Sequence, residues 1–159
     1  MSKVFLIVSV FFLGILTSCF DTSLPTLPSF EEQLAIDTEK IDSHLTANDI
    51  VTEIHESKIR YIVTEEGVGS SPTVRDSVNV KYTAKLLDGT LVDSSVEGTT
   101  FHLARLVQAW QIMLPLIKTG GQITIYSPSV YSYGRSARGP IPSNANIIFD
   151  VELVEVIEN

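Results

Sequence analysis

Four aromatic side chains in the C-terminal half, Tyr82, Trp110, Tyr133 and Phe149, are the residues of this sequence from which a site is most readily built. Each falls where a small antiparallel domain would turn it toward one shared cavity. The stretch that holds them offers no nucleophile–base pair, no phosphate-binding glycine loop and no metal cluster. His44, His55 and His102 are scattered without ligand spacing, so no metal site is expected. A site here is therefore an apolar pocket that works by shape and desolvation, without a cofactor.

Each of these residues also has a plainer reading. Trp110 on an amphipathic helix is often simply core, and Tyr82 and Phe149 on alternating strands can be core, pocket or both. Asp93 can cap a turn with Ser94 and Ser95. Tyr133 is the exception, because a loop tyrosine beside a glycine is seldom needed for packing.

The elements that must position these residues are legible from periodicity. Ile59, Tyr61 and Val63 alternate with polar neighbours until Glu66-Gly67 interrupts. Val78, Val80 and Tyr82 face one way and Asn79, Lys81 and Thr83 the other. Asp88-Gly89 signals a hairpin between 81–87 and 90–93. Residues 103–117 carry Leu106, Trp110 and Leu114 at helical spacing, with Pro115 limiting the helix and Gly120-Gly121 ending it. Ile123 and Ile125 open another strand, Ser127-Pro128 a loop, and Ile147, Phe149, Val151, Leu153 and Val156 form the last strand. One short helix against five or so antiparallel strands is an α+β domain.

Ahead of it, Ser29-Phe30-Glu31-Glu32 has capping-box spacing. Leu34, Thr38, Ile41 and Leu45 then give a narrow apolar stripe, predicting a helix over about 30–46. The stripe can pack on its own domain or on a second copy.

The 159 residues suit one domain with extensions. The formal net charge of −8 argues against nucleic acid as a partner, and the acidic residues are scattered as on a soluble surface. The lone cysteine, Cys19, rules out an intramolecular disulfide. It closes an uncharged apolar run, Val4 to Leu16, that follows Lys3 and is too short to span a bilayer as a helix. Leu16-Thr17-Ser18-Cys19 resembles a bacterial lipobox, which implies lipidation at Cys19 and attachment to a membrane; an ordinary signal peptide or a short buried helix is the alternative. The expected organisation is a signal peptide (1–18), a lipidated tether (19–28) rich in Pro, Ser and Thr, an N-terminal helix (29–49) and a folded domain (50–159).

Val80-Lys81-Tyr82-Thr83, Leu87-Asp88-Gly89-Thr90, Asp93-Ser94-Ser95, Trp110, Gly120-Gly121-Gln122, Ser127-Pro128, Tyr131-Ser132-Tyr133-Gly134 and Phe149-Asp150-Val151-Glu152-Leu153, in that order, resemble the FKBP family of macrolide-binding peptidyl-prolyl cis/trans isomerases. The resemblance spans about residues 59–156. It implies a curved antiparallel sheet wrapped around one short α-helix. Carried over, Trp110 is the pocket floor, Tyr82 and Phe149 are side walls, and Tyr133 offers its hydroxyl to a substrate carbonyl. Asp93 sits at the rim. Leu106 and Val107 meet the ligand, Phe101 stands beside the pocket, and Ile141 lies in a loop closing over the bound peptide. Val92, which the resemblance also places among the substrate-binding residues, stands where the family usually has phenylalanine before the aspartate, which removes an aromatic wall. The segment 96–100 is shortened and lacks the usual basic partner of that aspartate, Ala109 replaces a glycine, and the 135–142 loop is slightly short.

The expectation is an envelope lipoprotein, facing the periplasm with a weak preference for the outer membrane. It would isomerise proline-containing clients and bind macrolide inhibitors. Two alternatives stand beside it: a proline-binding chaperone module with little turnover, and a structural subunit of an envelope complex docking through the N-terminal helix.

Overall fold

The computed structural model describes residues 26–158. The expected signal segment, Cys19 and most of the tether fall outside them. Among the described residues no helix is long and apolar enough to cross a membrane.

The first helix, α1, runs Phe30–Ala47. Its start is fixed by the reciprocal capping box: Ser29 Oγ accepts from the Glu32 amide at 3.2 Å, and Glu32 Oε2 accepts from the Ser29 amide at 2.7 Å. Leu34, Ile41 and Leu45 are buried as the stripe predicts, but Asp37 takes the inward position in place of Thr38. A carboxyl goes inward because partners wait for it there, as described below.

Six antiparallel strands follow: β1 (Glu53–Ile54), β2 (Arg60–Glu65), β3 (Ser77–Leu86), β4 (Leu91–His102), β5 (Gln122–Ser127) and β6 (Ile147–Ile157). Their order across the sheet is β1-β2-β5-β6-β3-β4. The two-residue β1 is too short to register as a periodic signal. The β3–β4 hairpin turns at Asp88-Gly89, where Gly89 has φ of 86° and the Asp88 carboxylate accepts from the Thr90 amide at 2.9 Å.

Two irregularities bend β4. Tyr82 pairs with Ser95 and Val80 with Thr99, so residues 96–98 bulge out opposite Lys81. The insertion adds two residues and preserves parity, leaving Asp93 and Phe101 on the same face as Tyr82. A second irregularity between Asp93 and Leu91 makes Val92 the extra residue.

The core lies on the face of Val78, Val80, Ala84, Ile123, Ile125, Phe149 and Val151, covered by Trp110, Met113, Leu114 and Ile117. Around Tyr126 and Ile148 the other face is apolar too, and there Ile41 and Leu45 of α1 pack on it. This explains why Ile147-Ile148-Phe149 is continuously apolar rather than alternating: that end of β6 is covered on both sides. α1 thus packs on its own domain. It is pinned to β2 by a two-pronged bond from Arg60 to Asp42, Nε to Oδ1 at 2.8 Å and Nη2 to Oδ2 at 2.7 Å.

The second helix, α2, is shorter than its apolar spacing predicts, covering only Gln108–Met113. Leu106 and Val107 are extended, with ψ of 173° and 146°. A 3₁₀ turn, Leu114–Leu116, follows around Pro115, which has no amide hydrogen to continue the ladder. Gly120-Gly121 does not cap this helix. It forms the turn into β5, where the Gly120 amide donates to the Leu153 carbonyl at 2.7 Å and the Gly121 carbonyl accepts from the Leu153 amide at 2.9 Å.

Candidate active site

At the concave face of the sheet a cavity of about 140 Å³ is lined by Tyr82, Asp93, Phe101, Leu106, Val107, Trp110, Tyr133 and Phe149. Trp110 is its centre of gravity. The Tyr82 ring stands edge-on to the indole at 5.1 Å between centroids, and the Phe149 ring at 5.6 Å, both at 83°. Phe101 extends the wall from Tyr82 at 6.4 Å. These edge-to-face contacts match the electron-poor ring edge to the electron-rich face and hold the rings against rotation. The Trp110 Nε1 is buried and has no acceptor among the described residues, so packing alone orients the indole.

The wall residues are delivered by several elements, Asp93 and Phe101 together by β4. Tyr82 and Phe149 lie on the core faces of β3 and β6, where Tyr82 pairs with Val151 and Phe149 with Ala84 and Ile125. Leu106 and Val107 sit in the extended step before α2, held by Gln111, whose Nε2 donates to the Leu106 carbonyl at 2.8 Å and to that of Ala104 at 3.3 Å. Nothing in the sequence singles out Gln111 for that task.

Polar groups occupy one side only. Tyr82 donates its hydroxyl hydrogen to Asp93 Oδ2 at 2.7 Å, while Asp93 Oδ1 accepts from the Ser94 amide at 2.9 Å. Asp93, Ser94 and Ser95 lie within β4, so Asp93 caps no turn there; its side-chain partner is Tyr82. Burial, then the hydrogen bond to Asp93 and its charge, push the Tyr82 hydroxyl far above its ordinary value. Burial also raises Tyr133, with Asp93 adding to the effect and Arg138 opposing it. Both phenols thus stay protonated donors. The Arg138 guanidinium lies 5.8 Å from the centre of the Tyr133 ring, a contact invisible in the sequence. The Tyr133 hydroxyl has no partner among the described residues and is available to a ligand.

Two expected ligand contacts are placed elsewhere. Val92, next to Asp93 at the β4 irregularity, packs at the edge of the core and does not line the cavity. Ile141 is drawn into the core by a backbone bridge with Arg138, with both hydrogen bonds at 2.9 Å. A hollow of about 480 Å³ lies over the sheet's other face, around Lys81, Thr83, Thr124, Asp150 and Glu152. It is open and polar, and its charges pair with each other, Lys81 with Glu152 at 3.4 Å and Lys85 with Asp150 at 3.1 Å. The smaller aromatic cavity is the better site, because apolar walls and the unpartnered Tyr133 hydroxyl converge there.

Residues 69–154 match the profile of the family described as FKBP-type peptidyl-prolyl cis-trans isomerase. The chain belongs to that family. An FKBP-type isomerase FkpA of Aeromonas hydrophila is 39% identical over 104 residues, covering 64% of this chain and 39% of that protein. The outer membrane protein MIP of Legionella longbeachae is 34% identical over 104 residues, covering 63% of this chain and 45% of that protein. The chain thus spans less than half the length of these curated relatives. The crystal structure of FkpA from Escherichia coli superposes with a TM-score of 0.70 at 30% identity, covering 80% of this chain and 62% of that one. A Pseudomonas syringae isomerase structure shares the fold, with a TM-score of 0.68 at 23% identity, covering 84% of this chain and 99% of that one. In this FKBP-type domain the concave aromatic cavity lies entirely within the segment that the family profile matches or on the residues of its walls.

Proposed function

We propose that this FKBP-type domain catalyses cis/trans isomerisation of X–Pro bonds in proteins folding in the bacterial envelope. The observation that carries the proposal is the convergence of the Tyr82, Trp110 and Phe149 rings on one small cavity, with the free hydroxyl of Tyr133 at its edge.

The uncatalysed barrier, about 18–20 kcal/mol, comes from amide resonance. The planar amide is the more polar form and the one that water solvates best. An apolar cavity strips that solvent away, while a twisted amide, which carries less charge on oxygen, loses less by entering. A thousandfold acceleration requires about 4 kcal/mol of such discrimination. Trp110 carries the pyrrolidine ring on its face, and Tyr82, Phe101 and Phe149 wall it in. The backbone at Leu106 and Val107 meets the chain around the proline. Tyr133 donates to a substrate carbonyl, and Asp93 fixes Tyr82 at the rim. The same cavity would accept the apolar ring of a macrolide inhibitor.

The lipobox-like Leu16-Thr17-Ser18-Cys19 supports lipidation at Cys19 and attachment to the envelope, and a relative named as an outer membrane protein favours that location. Mass spectrometry of the native N-terminus tests it, and an unmodified Cys19 would refute it. Docking as a structural subunit through α1 is disfavoured, because its apolar stripe is already buried on its own sheet.

The test of the main reading is isomerase kinetics on the purified protein with a chromogenic proline tetrapeptide, beside Trp110→Leu and Tyr133→Phe. Turnover that both substitutions depress supports it. Tight peptide binding without any rate gain would instead identify a proline-binding module.

A further inference from the structure

Asp37 is fully buried within α1, on the side facing the loop after β5. Its carboxyl receives three hydrogen bonds: Gln33 Nε2 to Oδ1 at 2.8 Å, and the amide and hydroxyl of Ser129 to Oδ2 at 2.8 and 2.6 Å. Asn146 closes the ring. Its Nδ2 donates to the Asp37 carbonyl at 3.1 Å, and its Oδ1 accepts from the Ser129 amide at 3.1 Å.

The other end of Ser129 leads to the cavity. Its carbonyl accepts the amides of Ser132 at 3.0 Å and Gly134 at 2.8 Å, the two residues that flank Tyr133. Two further contacts tie the start of α1 to the same loop: Phe30 stands edge-on to Tyr131 at 5.7 Å, and the Arg135 guanidinium donates to the Pro28 carbonyl. None of Asp37, Ser129 and Asn146 lines the cavity. A stability role alone explains the carboxyl poorly. Burying a carboxyl costs free energy that its hydrogen bonds must first offset, so its place here is tied to the groups it holds.

We propose that Asp37 is a positioning residue which, through Ser129, fixes the turn 132–134 and so holds Tyr133 at the cavity wall. The proposal rests on the isomerase reading of the site, and it makes α1 part of the catalytic unit rather than a spacer. Removing the carboxyl leaves Ser129 held on this side by Asn146 alone, lets the turn relax and withdraws the Tyr133 hydroxyl from the substrate.

The experiment compares Asp37→Ala, Asp37→Asn, Tyr133→Phe and the double variant Asp37→Ala/Tyr133→Phe in the full chain, with Ile41→Val as a control that loosens α1 elsewhere. Two quantities are read: tetrapeptide kcat/KM, and hydrogen exchange at the amides of Ser132 and Gly134. In Asp37→Ala exchange at these amides is expected to rise about tenfold or more. Its kcat/KM falls by about the same factor as in Tyr133→Phe, and the double variant is no worse than either. Asp37→Asn, which keeps an acceptor for Ser129, recovers most of both, and Ile41→Val changes neither. Unchanged exchange at Ser132 and Gly134 in folded Asp37→Ala, or losses that multiply in the double variant, would overturn the proposal. Should Asp37→Ala fail to fold, Ser129→Ala removes one donor and is expected to show the same pattern in smaller measure. An inactive wild type would refute the isomerase reading, while the exchange data would still decide the role of Asp37.

Discussion

Tyr82 and Asp93 face each other diagonally across the β3–β4 hairpin, joined at 2.7 Å, because Tyr82 pairs with Ser95 and Asp93 lies two residues further along the same face. The bond immobilises the ring that in turn stands edge-on to Trp110. Asp93, among the described residues the one charged group lining the cavity, is thereby committed to holding a wall. What remains for a substrate is apolar surface and the Tyr133 hydroxyl, the composition expected of a catalyst that twists a bond without moving a proton.

Trp110 is the single tryptophan, so its fluorescence reports the cavity floor directly. Saturation with a proline peptide is expected to shift or quench its emission. Unchanged emission at a saturation confirmed by calorimetry would place the ligand elsewhere. Trp110→Leu is expected to lower kcat/KM at least about tenfold and to cost about 2–3 kcal/mol of stability, from lost volume and two lost ring contacts.

Tyr133→Phe separates catalysis from folding. The hydroxyl has no internal partner among the described residues, so Tm is expected to hold within about 1 °C. If it donates to the substrate, kcat/KM falls about three- to tenfold, the equivalent of one net hydrogen bond of about 0.5–1.5 kcal/mol. Steady-state kinetics beside a thermal melt decides it.

The pH profile follows from the shifted groups. Tyr82 and Tyr133 have folded values above the ordinary one of about 10, so their contribution to stability is complete below about pH 10 and is lost as pH rises through the folded values. Asp150 behaves in the opposite sense. Burial alone would raise it, but hydrogen bonds from Lys85, Thr124 and Thr83 and the charge of Lys85 outweigh burial and hold it low. Its contribution is present above about pH 4 and is lost as pH falls through the folded value. Because its side chain is 44% exposed, solvent screening keeps that contribution below about 1 kcal/mol. Melting curves of wild type, Asp150→Asn and Tyr82→Phe check both limbs. Asp150→Asn is expected to flatten the acid limb alone, and Tyr82→Phe to soften the alkaline one. Between about pH 6 and 9 kcat/KM is expected to be flat, since no proton transfer is involved.

Two glycines of positive φ differ in their surroundings. A Cβ on Gly67, at φ of 78°, would meet the backbone of Lys118, Thr119 and Gly121 at 2.5–2.6 Å, whereas one on Gly89, at φ of 86°, meets nothing within 4 Å. Gly89→Ala is expected to cost about 1–2 kcal/mol, the left-handed strain alone. Gly67→Ala adds a backbone clash and is expected to cost clearly more, or to prevent folding. Denaturant titration of both variants measures the difference, and equal costs would contradict the packing of the 66–69 loop against the 118–121 turn.

Local patterns foretold much of this. Tyr82, Phe149 and Trp110 announced themselves by type and by their place in alternating or helical segments, and the capping box at Ser29 and Glu32 marked the start of α1. Less was visible where covalent neighbours do not set the outcome. The apolar spacing of 103–117 overstated α2, because spacing registers sidedness and not the extended backbone at Leu106 and Val107. Val92 and Ile141 were expected at the ligand, yet an irregularity in β4 and a backbone bridge to Arg138 place them off the cavity wall.

The amino-acid sequence by itself determined the class of the domain, the identity of its aromatic residues and the family to which they belong, because type and short-range spacing carry that information. Only the tertiary structure decided that Asp37 turns inward to Ser129, 92 residues away, that Arg138 lies over Tyr133, and that Gln111 braces the step at Leu106. Those contacts join segments whose proximity is fixed by strand order and by α1 covering the far face of the sheet. No local spacing rule contains that distance.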